Sequence, residues 1–325
     1  MDRKLDALLF ALMQNMTITV SGEKLARDLG VPHSTLVRWI DKLREAGVSI
    51  HGELFTGYRL LKVPDVMLPQ LIRPRLRTHE FGRSLYHFYR VDSTNAFALR
   101  LLAHDPKVAN GTVVIAESQT AGRGRMGRTW HSPPESGLYV SLILRPKIAS
   151  SLAPLFTLGA AVAMHHAVER ETGLDVDIKW PNDLLVDGKK VCGILAEIQA
   201  ELDRVNALVM GVGLNVNQES FPPDIESRAT SLRLASGRLQ SRVEIFAGFL
   251  LEYESLSDRF SQTGPPAIID EWTANSSFAQ GRRLKIDDGV RVIEGVTRGL
   301  NPLGALRIET MRGGIEEVYS GDVVA

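Results

Sequence analysis

The stretch Thr120-Ala121-Gly122-Arg123-Gly124-Arg125-Met126-Gly127-Arg128-Thr129-Trp130 constrains this chain more than any other. It lies between two apolar runs, Gly111 to Glu117 and Leu138 to Leu144, that read as strands, so it is a long strand-to-strand loop. Its glycines permit positive φ and a close approach of backbone to ligand. Its arginines alternate with them, each a fixed fork of donors suited to carboxylate or phosphate. A glycine-rich cationic loop held between strands suits an anion-binding lid. Gly-Arg alternation also marks disordered RNA-binding tails, but the flanks here are periodic and apolar. No Gly-Lys-Ser/Thr follows, which excludes a Walker loop.

A chain of 325 residues predicts two or three domains, and 44% hydrophobic residues suffice for their cores. The formal net charge is zero, so any nucleic-acid binding must come from a local patch. The single cysteine, Cys192, excludes an internal disulfide framework and a Cys-based zinc site; it fits a reducing compartment and reads as a small core residue. There is no signal-peptide pattern, and no apolar run approaches the ~18 residues of a membrane span. A cytoplasmic protein without a membrane partner is expected.

Leu5, Leu8, Leu9 and Leu12 fall at helical spacing, Ser21 to Leu29 reads as a second helix with Ser21 as cap, and Ser34 to Leu43 as a third. Two short strands, Val48 to Gly52 and Gly57 to Leu61, follow. This is the pattern of a winged helix-turn-helix, whose third helix would offer His33, Ser34, Thr35 and Arg38 to base edges. Nine Lys/Arg against seven Asp/Glu over 1–63 leave only +2, little for a DNA module unless a dimer doubles it. Pro64, Pro69 and Pro74 read as a linker, with Arg73 to Arg77 a solvated basic run.

A strand near Ser84 to Val91 then opens a new domain. Asp92 or Ser93 caps a helix running to Leu102, so Ser93 and Thr94 are either caps or ligand donors. Leu152 to Thr172 predicts a central buried helix, whose adjacent His165 and His166 are structural. Asp175 to Trp180 reads as a strand ended by Pro181, and Asp187-Gly188 as a hairpin turn leading to Lys190. Gly211 and Gly213 share one face of a strand by period two, leaving room for a flat ligand. Arg242 to Arg259 reads as an amphipathic helix, and the tail beyond 274 is β-rich.

The Gly-Arg loop resembles the biotin-binding signature of biotin protein ligases. Four more blocks match that family in order: Asp92-Ser93-Thr94-Asn95, Lys179-Trp180-Pro181-Asn182-Asp183-Leu184, Lys190-Val191-Cys192-Gly193-Ile194-Leu195 and Gly211-Val212-Gly213-Leu214-Asn215-Val216-Asn217. The resemblance covers nearly the whole chain. It implies an α+β multidomain protein: a winged helix-turn-helix DNA-binding domain (1–63), a linker (64–82), an α/β ligase domain with a mixed, class II synthetase-like sheet (83–273) and a small SH3-like β-barrel (274–325). The implied activity is ATP-dependent biotinylation of a lysine on the biotin carboxyl carrier protein of acetyl-CoA carboxylase, through biotinyl-adenylate, with biotin-responsive repression of biotin-synthesis genes.

The resemblance also implies roles. Ser93, Thr94, Asn95 and Gln119 would meet the ureido end of biotin, and Gly122, Arg123, Gly124, Arg125, Lys190, Gly193 and Gly211 would complete its site. Arg123, Arg125, Arg128, Trp130, Lys179, Asn182, Lys190 and Asn215 would surround ATP and the adenylate, and Arg228 to Leu232 resembles an adenylate-covering loop. Lys190, Arg125 and Asp183 are the catalytic candidates; Asp183 either receives the acceptor lysine or holds the metal, and Trp130 either pins the loop's hinge or packs for stability. ATP and biotin are the expected substrates, with Mg²⁺ but no dedicated protein metal site; operator DNA and a ligand-promoted homodimer are the expected partners. The hairpin tip Glu53 to Thr56 departs from the family's basic glycine-rich wing, and no phosphate contact is expected from Gly321 to Ala325. A lipoate ligase would share the catalytic fold, but Gly122 to Arg125 with Lys179 to Asp183 favours biotin. A regulator with an inactive sensing domain is disfavoured by Lys190 and the full arginine loop.

Overall fold

The computed structural model describes residues 3–62, 65–201 and 204–324. The expected division at 63 and 64, with Pro64, and the last residue Ala325 lie outside the described residues. The N-terminal part is three helices, α1 (Arg3–Gln14), α2 (Gly22–Leu29) and α3 (His33–Glu45), then an antiparallel hairpin of β1 (Ile50–Glu53) and β2 (Gly57–Leu60). The helical spacing of Leu5, Leu8, Leu9 and Leu12 puts them on one buried face, in one cluster with Leu25, Leu36, Ile40 and Leu43. α2 stops where Gly30 turns left-handed (φ 62, ψ 46) and returns its N–H to the helix. Ser21 precedes α2 as expected but makes no side-chain capping bond; it is exposed, and water can satisfy it.

From 65 onward the chain is no free tether. Val66, Met67, Leu68 and Ile72 are buried, and Pro69 opens a single turn, α4 (Pro69–Ile72). Arg73, Arg75 and Arg77 stay exposed. The central unit follows, with β3 (Leu85–Phe88), α5 (Thr94–His104), β4 (Thr112–Ala116), β5 (Gly137–Leu144), α6 (Ala153–Thr172), β6 (Asp177–Lys179), β7 (Asp183–Val186), β8 (Lys189–Glu201), β9 (Arg204–Asn215), α7 (Leu232–Ser236), α8 (Arg242–Thr263) and α9 (Pro266–Ala274). The strands make one mixed sheet in the order β3-β4-β5-β9-β8-β7-β6, parallel only between β3 and β4.

Period two divides the sheet's side chains between its faces. Val113 and Ile115 of β4, with Leu208, Met210, Val212 and Leu214 of β9, join the core built by α6 and α8. Val114, Ala207 and Val209 face the other way, under Ala98 and Leu102 of α5. One expectation needs correction: Ser150–Thr172, which contains α6, is long and apolar enough to cross a membrane. Most of it is buried inside the protein, so α6 is apolar all round because it is a core helix.

The chain ends in β10 (Gln280–Asp287), β11 (Val292–Leu300), β12 (Leu306–Thr310), β13 (Ile315–Val318) and β14 (Asp322–Val324), a five-stranded antiparallel sheet in the order β13-β12-β11-β10-β14. Its Ile286, Ile293, Leu306 and Ile308 are continuous with the central core. Trp180, fully buried, donates its indole N–H to Gly304 O at 3.3 Å.

Buried charges fasten the N-terminal helices to the sheet. His87 of β3 lies between Asp6 of α1 (Nδ1 to Oδ1, 2.9 Å) and Glu117 after β4 (Nε2 to Oε1, 3.1 Å). Glu117 also accepts from Met67 N at 2.6 Å and from Arg242 Nη2 at 2.9 Å, and Arg242 donates to Gly137 O at 2.9 Å. Burial alone favours a neutral imidazole, but the bonds to Asp6 and Glu117 outweigh it and lift His87 to about 9. Burial likewise penalises the Glu117 carboxylate, and the Arg242 charge with the His87 bond more than offsets this, holding it down at about 2. A raised histidine stabilises fully below its unfolded value of 6.5 and ceases to do so as pH climbs through about 9. The urea-unfolding free energy of the wild-type protein should therefore fall across that window, by on the order of 3 kcal/mol. The His87→Gln protein should be less stable throughout and lack this fall; equal slopes in both proteins would remove His87 from the account.

Candidate active site

On the α5 face of the sheet, β9 continues from Ala207 and Val209 to Gly211 and Gly213, where side chains disappear. β8 pairs alongside, with Gly193 opposite Gly213 and Leu195 opposite Gly211. A cleft opens over these glycines, lined at one end by Ser93, Thr94, Asn95 and Gln119 and at the other by Arg123 and Trp130. A second hollow continues from it under residues 121–129.

The first end is polar and uncharged. Ser93 caps α5, its hydroxyl accepting from Ala96 N at 3.4 Å. Thr94 donates its backbone N–H to Gln119 Oε1 at 2.9 Å, and the Gln119 amide donates to Ser132 Oγ at 3.0 Å. Ser141, in the middle of β5, sits 2.8 Å from Thr94 Oγ1 and 2.5 Å from Asn95 Oδ1. Asn95 in turn donates to Glu197 Oε2 at 2.8 Å. The room expected at Gly211 and Gly213 is taken by side chains: a Cβ at 211 would stand 2.3 Å from Asn95 Oδ1, and one at 213 would stand 2.4 Å from the Trp130 indole. Trp130 thus lies on the sheet inside the cleft.

The second end is cationic. The arginine loop folds back on itself: Trp130 N donates to Gly122 O at 3.0 Å and Gly124 N to Arg128 O at 2.7 Å. Its tip carries Met126 in the left-handed region (φ 54), exposed. Arg125 donates to Asn182 Oδ1 at 2.9 Å, and Asn182 donates to Ile194 O at 2.8 Å. Lys190 heads β8, its Nζ 2.6 Å from Asp183 Oδ1 and 5.5 Å from the Trp130 ring centre. Its backbone is tied to the segment after Arg228: Lys190 N donates to Arg228 O and Thr230 N to Lys190 O, at 2.9 and 3.0 Å. Burial pulls the Lys179 amine below its usual range, with Asp183 opposing the effect. The cleft therefore suits an elongated ligand with an uncharged hydrogen-bonding head and an anionic tail.

Of the expected residues, the structure gathers Ser93, Thr94, Asn95, Gln119, Arg123, Trp130, Gly193 and Gly211 around one cleft, with Gly122, Gly124, Arg125 and Arg128 around its extension. Lys179, Asn182, Asp183, Lys190 and Asn215 are not among these lining residues: Lys190 stands beside Trp130 and Gly193, Asn182 holds Arg125, and the Asn215 amide donates to Thr230 O at 3.1 Å, holding the segment beside Lys190. Ser132, Ser141, Glu197 and Asp322 were not expected. A lone serine in the apolar run of β5 is a visible signal; for the others sequence offers none. His33, Ser34 and Arg38 are exposed on α3 and Thr35 half so. Cys192 is fully buried, and burial pushes its thiol up.

Comparisons agree with this geometry. Residues 87–215 match the model of the Biotin/lipoate A/B protein ligase family. The chain is 38% identical over 310 residues to the bifunctional ligase/repressor BirA of Bacillus spizizenii, covering 94% of this chain and 93% of the relative. It is 37% identical, with the same coverage, to BirA of Bacillus subtilis. The structure is similar to that of a biotin protein ligase from Aquifex aeolicus in complex with biotin and ATP (TM-score 0.65, 32% identity), covering 74% of this chain and 98% of that one.

The crowding at Gly211 yields a test. Asn95 is pinned by Ser141 and Glu197, so a methyl at 211 must push it out of the cleft's head. Gly211→Ala should weaken binding of biotin, the ligand expected from the sequence, roughly two- to tenfold in calorimetry, the loss of about one hydrogen bond to a fixed partner. Wild-type affinity in the variant would show that Asn95 does not define the head.

Proposed function

The chain belongs to the biotin/lipoate protein ligase family, and to the bifunctional biotin ligase/repressors within it, and on that premise we propose that it joins biotin to a lysine of a biotin carboxyl carrier protein through biotinyl-adenylate. The observation that carries the reading is the cleft itself, with amides and hydroxyls at its head, three arginines along its extension, and Lys190 beside its Trp130 and Gly193. A ureido ring would satisfy the head's donors and acceptors. The dithiolane of lipoate has no N–H or C=O to offer these hydroxyls and amides.

An adenylyl transfer and then an acyl transfer follow. A biotin carboxylate oxygen attacks the α-phosphorus of ATP and pyrophosphate leaves. The carrier lysine's amine then attacks the acyl carbon of the mixed anhydride, loses a proton, and AMP leaves. Lys190 meets the charge shared by carboxylate and α-phosphate, Arg123, Arg125 and Arg128 spread cationic charge over the remaining phosphates, and Asn182 holds Arg125 in position. Trp130 and the folded loop keep water from the anhydride. Asp183, paired with Lys190, would either receive the incoming lysine or hold a Mg²⁺ that arrives on the phosphates. Among the described residues no three His, Cys, Asp or Glu side chains form a metal cage. A Mg²⁺ would neutralise the charge of the phosphates it arrives on.

We further propose that the roles divide along the chain: 1–63 as a winged helix-turn-helix that binds operator DNA through His33, Ser34, Thr35 and Arg38, 83–273 as the ligase, and 274–325 as an SH3-like barrel, working in the cytoplasm. With a net charge of only +2 over 1–63, useful DNA affinity calls for a dimer, and ligand-ordered loops beside the sheet supply a reason to dimerise.

The decisive assay supplies biotin and labelled ATP and follows pyrophosphate release, then biotin transfer to a carrier domain; no release by the wild-type protein would overturn the ligase reading. Lys190→Ala should slow adenylate formation roughly 10- to 150-fold, the loss of one charge-assisted hydrogen bond, while preserving the fold; wild-type rates would remove Lys190 from its role. For the DNA reading, a gel shift on the region upstream of biotin-synthesis genes should show a lower midpoint with biotin plus ATP than without, since linkage makes the coupling reciprocal. Identical midpoints at fixed salt would uncouple the two halves.

A further inference from the structure

Arg125 and Arg128 of the cleft's extension, together with Lys179, converge on residues 321–323. Arg128 pairs with Asp322 through Nη2, and Arg125 Nη1 lies 3.9 Å from the same carboxylate while donating to Gly321 O at 3.2 Å. Lys179 Nζ donates to Val323 O at 3.3 Å. Residues 321–323 thus take up three cations, two from the arginine loop and one from the end of β6, and Asp322 supplies the only carboxylate among those three residues. β14 is three residues long and bound to β10 through Asp287, Ile286 and Lys285. It is held by a short ladder on one side and by these side chains on the other.

Arg128 is 63% exposed and Asp322 26% in their side chains, so their pairing is screened by water and individually weak. A nucleotide's phosphates carry more charge than one carboxylate and present several oxygens to an arginine fork. A phosphate that engages Arg128 competes with Asp322 for it, and one that engages Arg125 competes with Gly321 O beside that carboxylate.

Resting on the ligase reading above, we propose that Asp322 of the C-terminal sheet is an internal competitor for the arginine loop, a carboxylate that ATP displaces, so that it sets nucleotide affinity and couples nucleotide binding to release of β14. The other cations have comparable partners, Lys190 with Asp183 and Arg123 with Glu197 at 3.6 Å. Both of those carboxylates stand on the central sheet beside the chemistry. Asp322 alone comes from a separate sheet, and it can leave without disturbing the cleft's head.

The direction of the effect tests the proposal. Asp322→Asn should lower the KM for ATP about two- to fivefold, the range of an exposed ion pair, with kcat and biotin affinity unchanged, and Asp322→Glu should restore the wild-type KM. A KM that rises in Asp322→Asn would mean that Asp322 supports the arginines or meets the metal, and an unchanged KM would mean that it does not compete; either overturns the proposal. Hydrogen exchange on the full-length wild-type protein gives a reading independent of any variant. A non-hydrolysable ATP analogue should raise exchange at 321–324 while lowering it at 122–130. Protection of both segments together would also overturn it. If the wild-type protein binds no ATP analogue at all, the ligase reading fails instead, which separates the two outcomes.

Discussion

Between the N-terminal helices and the central sheet, four charged side chains almost wholly out of water hold one another in place: Asp6, His87, Glu117 and Arg242. Taking such groups out of water costs several kcal/mol each, and they repay it only when every partner is present. Each element that matters downstream is tied to this knot. Glu117 leads directly into Gln119 and the arginine loop, and Arg242 opens α8 and holds Gly137, where β5 begins. Hydrophobic contacts alone would let the helices slide on the sheet, since apolar packing is non-directional. A histidine with a carboxylate on each ring nitrogen fixes one orientation, because its two N–H groups point in set directions from a rigid ring.

The cleft is a consequence of how the sheet is covered. α6 and α8 fill one face continuously, while the shorter α5 covers only part of the other. Beyond Val209 the uncovered face would expose large apolar side chains if β9 kept its pattern. Glycines at 193, 211 and 213 remove them, and Asn95 and Trp130 lie in the space. The same three positions therefore prevent an exposed apolar patch and create a slot with one polar and one aromatic wall. The head is rigid because Thr94, Asn95, Gln119 and Ser141 satisfy one another.

What sequence reading could reach follows from range. α6 was legible as Leu152 to Thr172 and runs Ala153–Thr172, because an apolar helix ended by Gly173 is a local signal. The Gly-Arg loop, the α5 cap and the strand-heading Lys190 were legible for the same reason. Ser21 misled, since a capping residue type does not oblige a capping bond. The apolar run of α6 was misjudged as too short for a membrane span, because hydropathy alone does not say what surrounds a helix. The charged knot was out of reach: Asp6 and His87 are 81 residues apart, and each alone reads as an ordinary polar residue at an element's edge. Arg128 and Asp322 are 194 apart, on elements brought together only by docking of the two sheets.

The arrangement of charge around the loop has its own logic. Arg123, Arg125, Arg128, Lys179 and Lys190 crowd one region, and like charges at such spacing repel by energies that grow as water is excluded. Asp183, Glu197 and Asp322 lie against four of them, so the cluster is held together without a ligand's help. The consequence is selectivity. On the competition proposed above, a chain of phosphates takes the arginines from Asp322, and a small monoanion replaces one contact and leaves the others intact. Only a molecule that carries a carboxylate or acyl group beside a chain of phosphates can take Lys190 and the arginines together. The carboxylates that lower the cluster's intrinsic affinity for anions are thus what lets it discriminate among them, a difference made by competition and not by tighter contact.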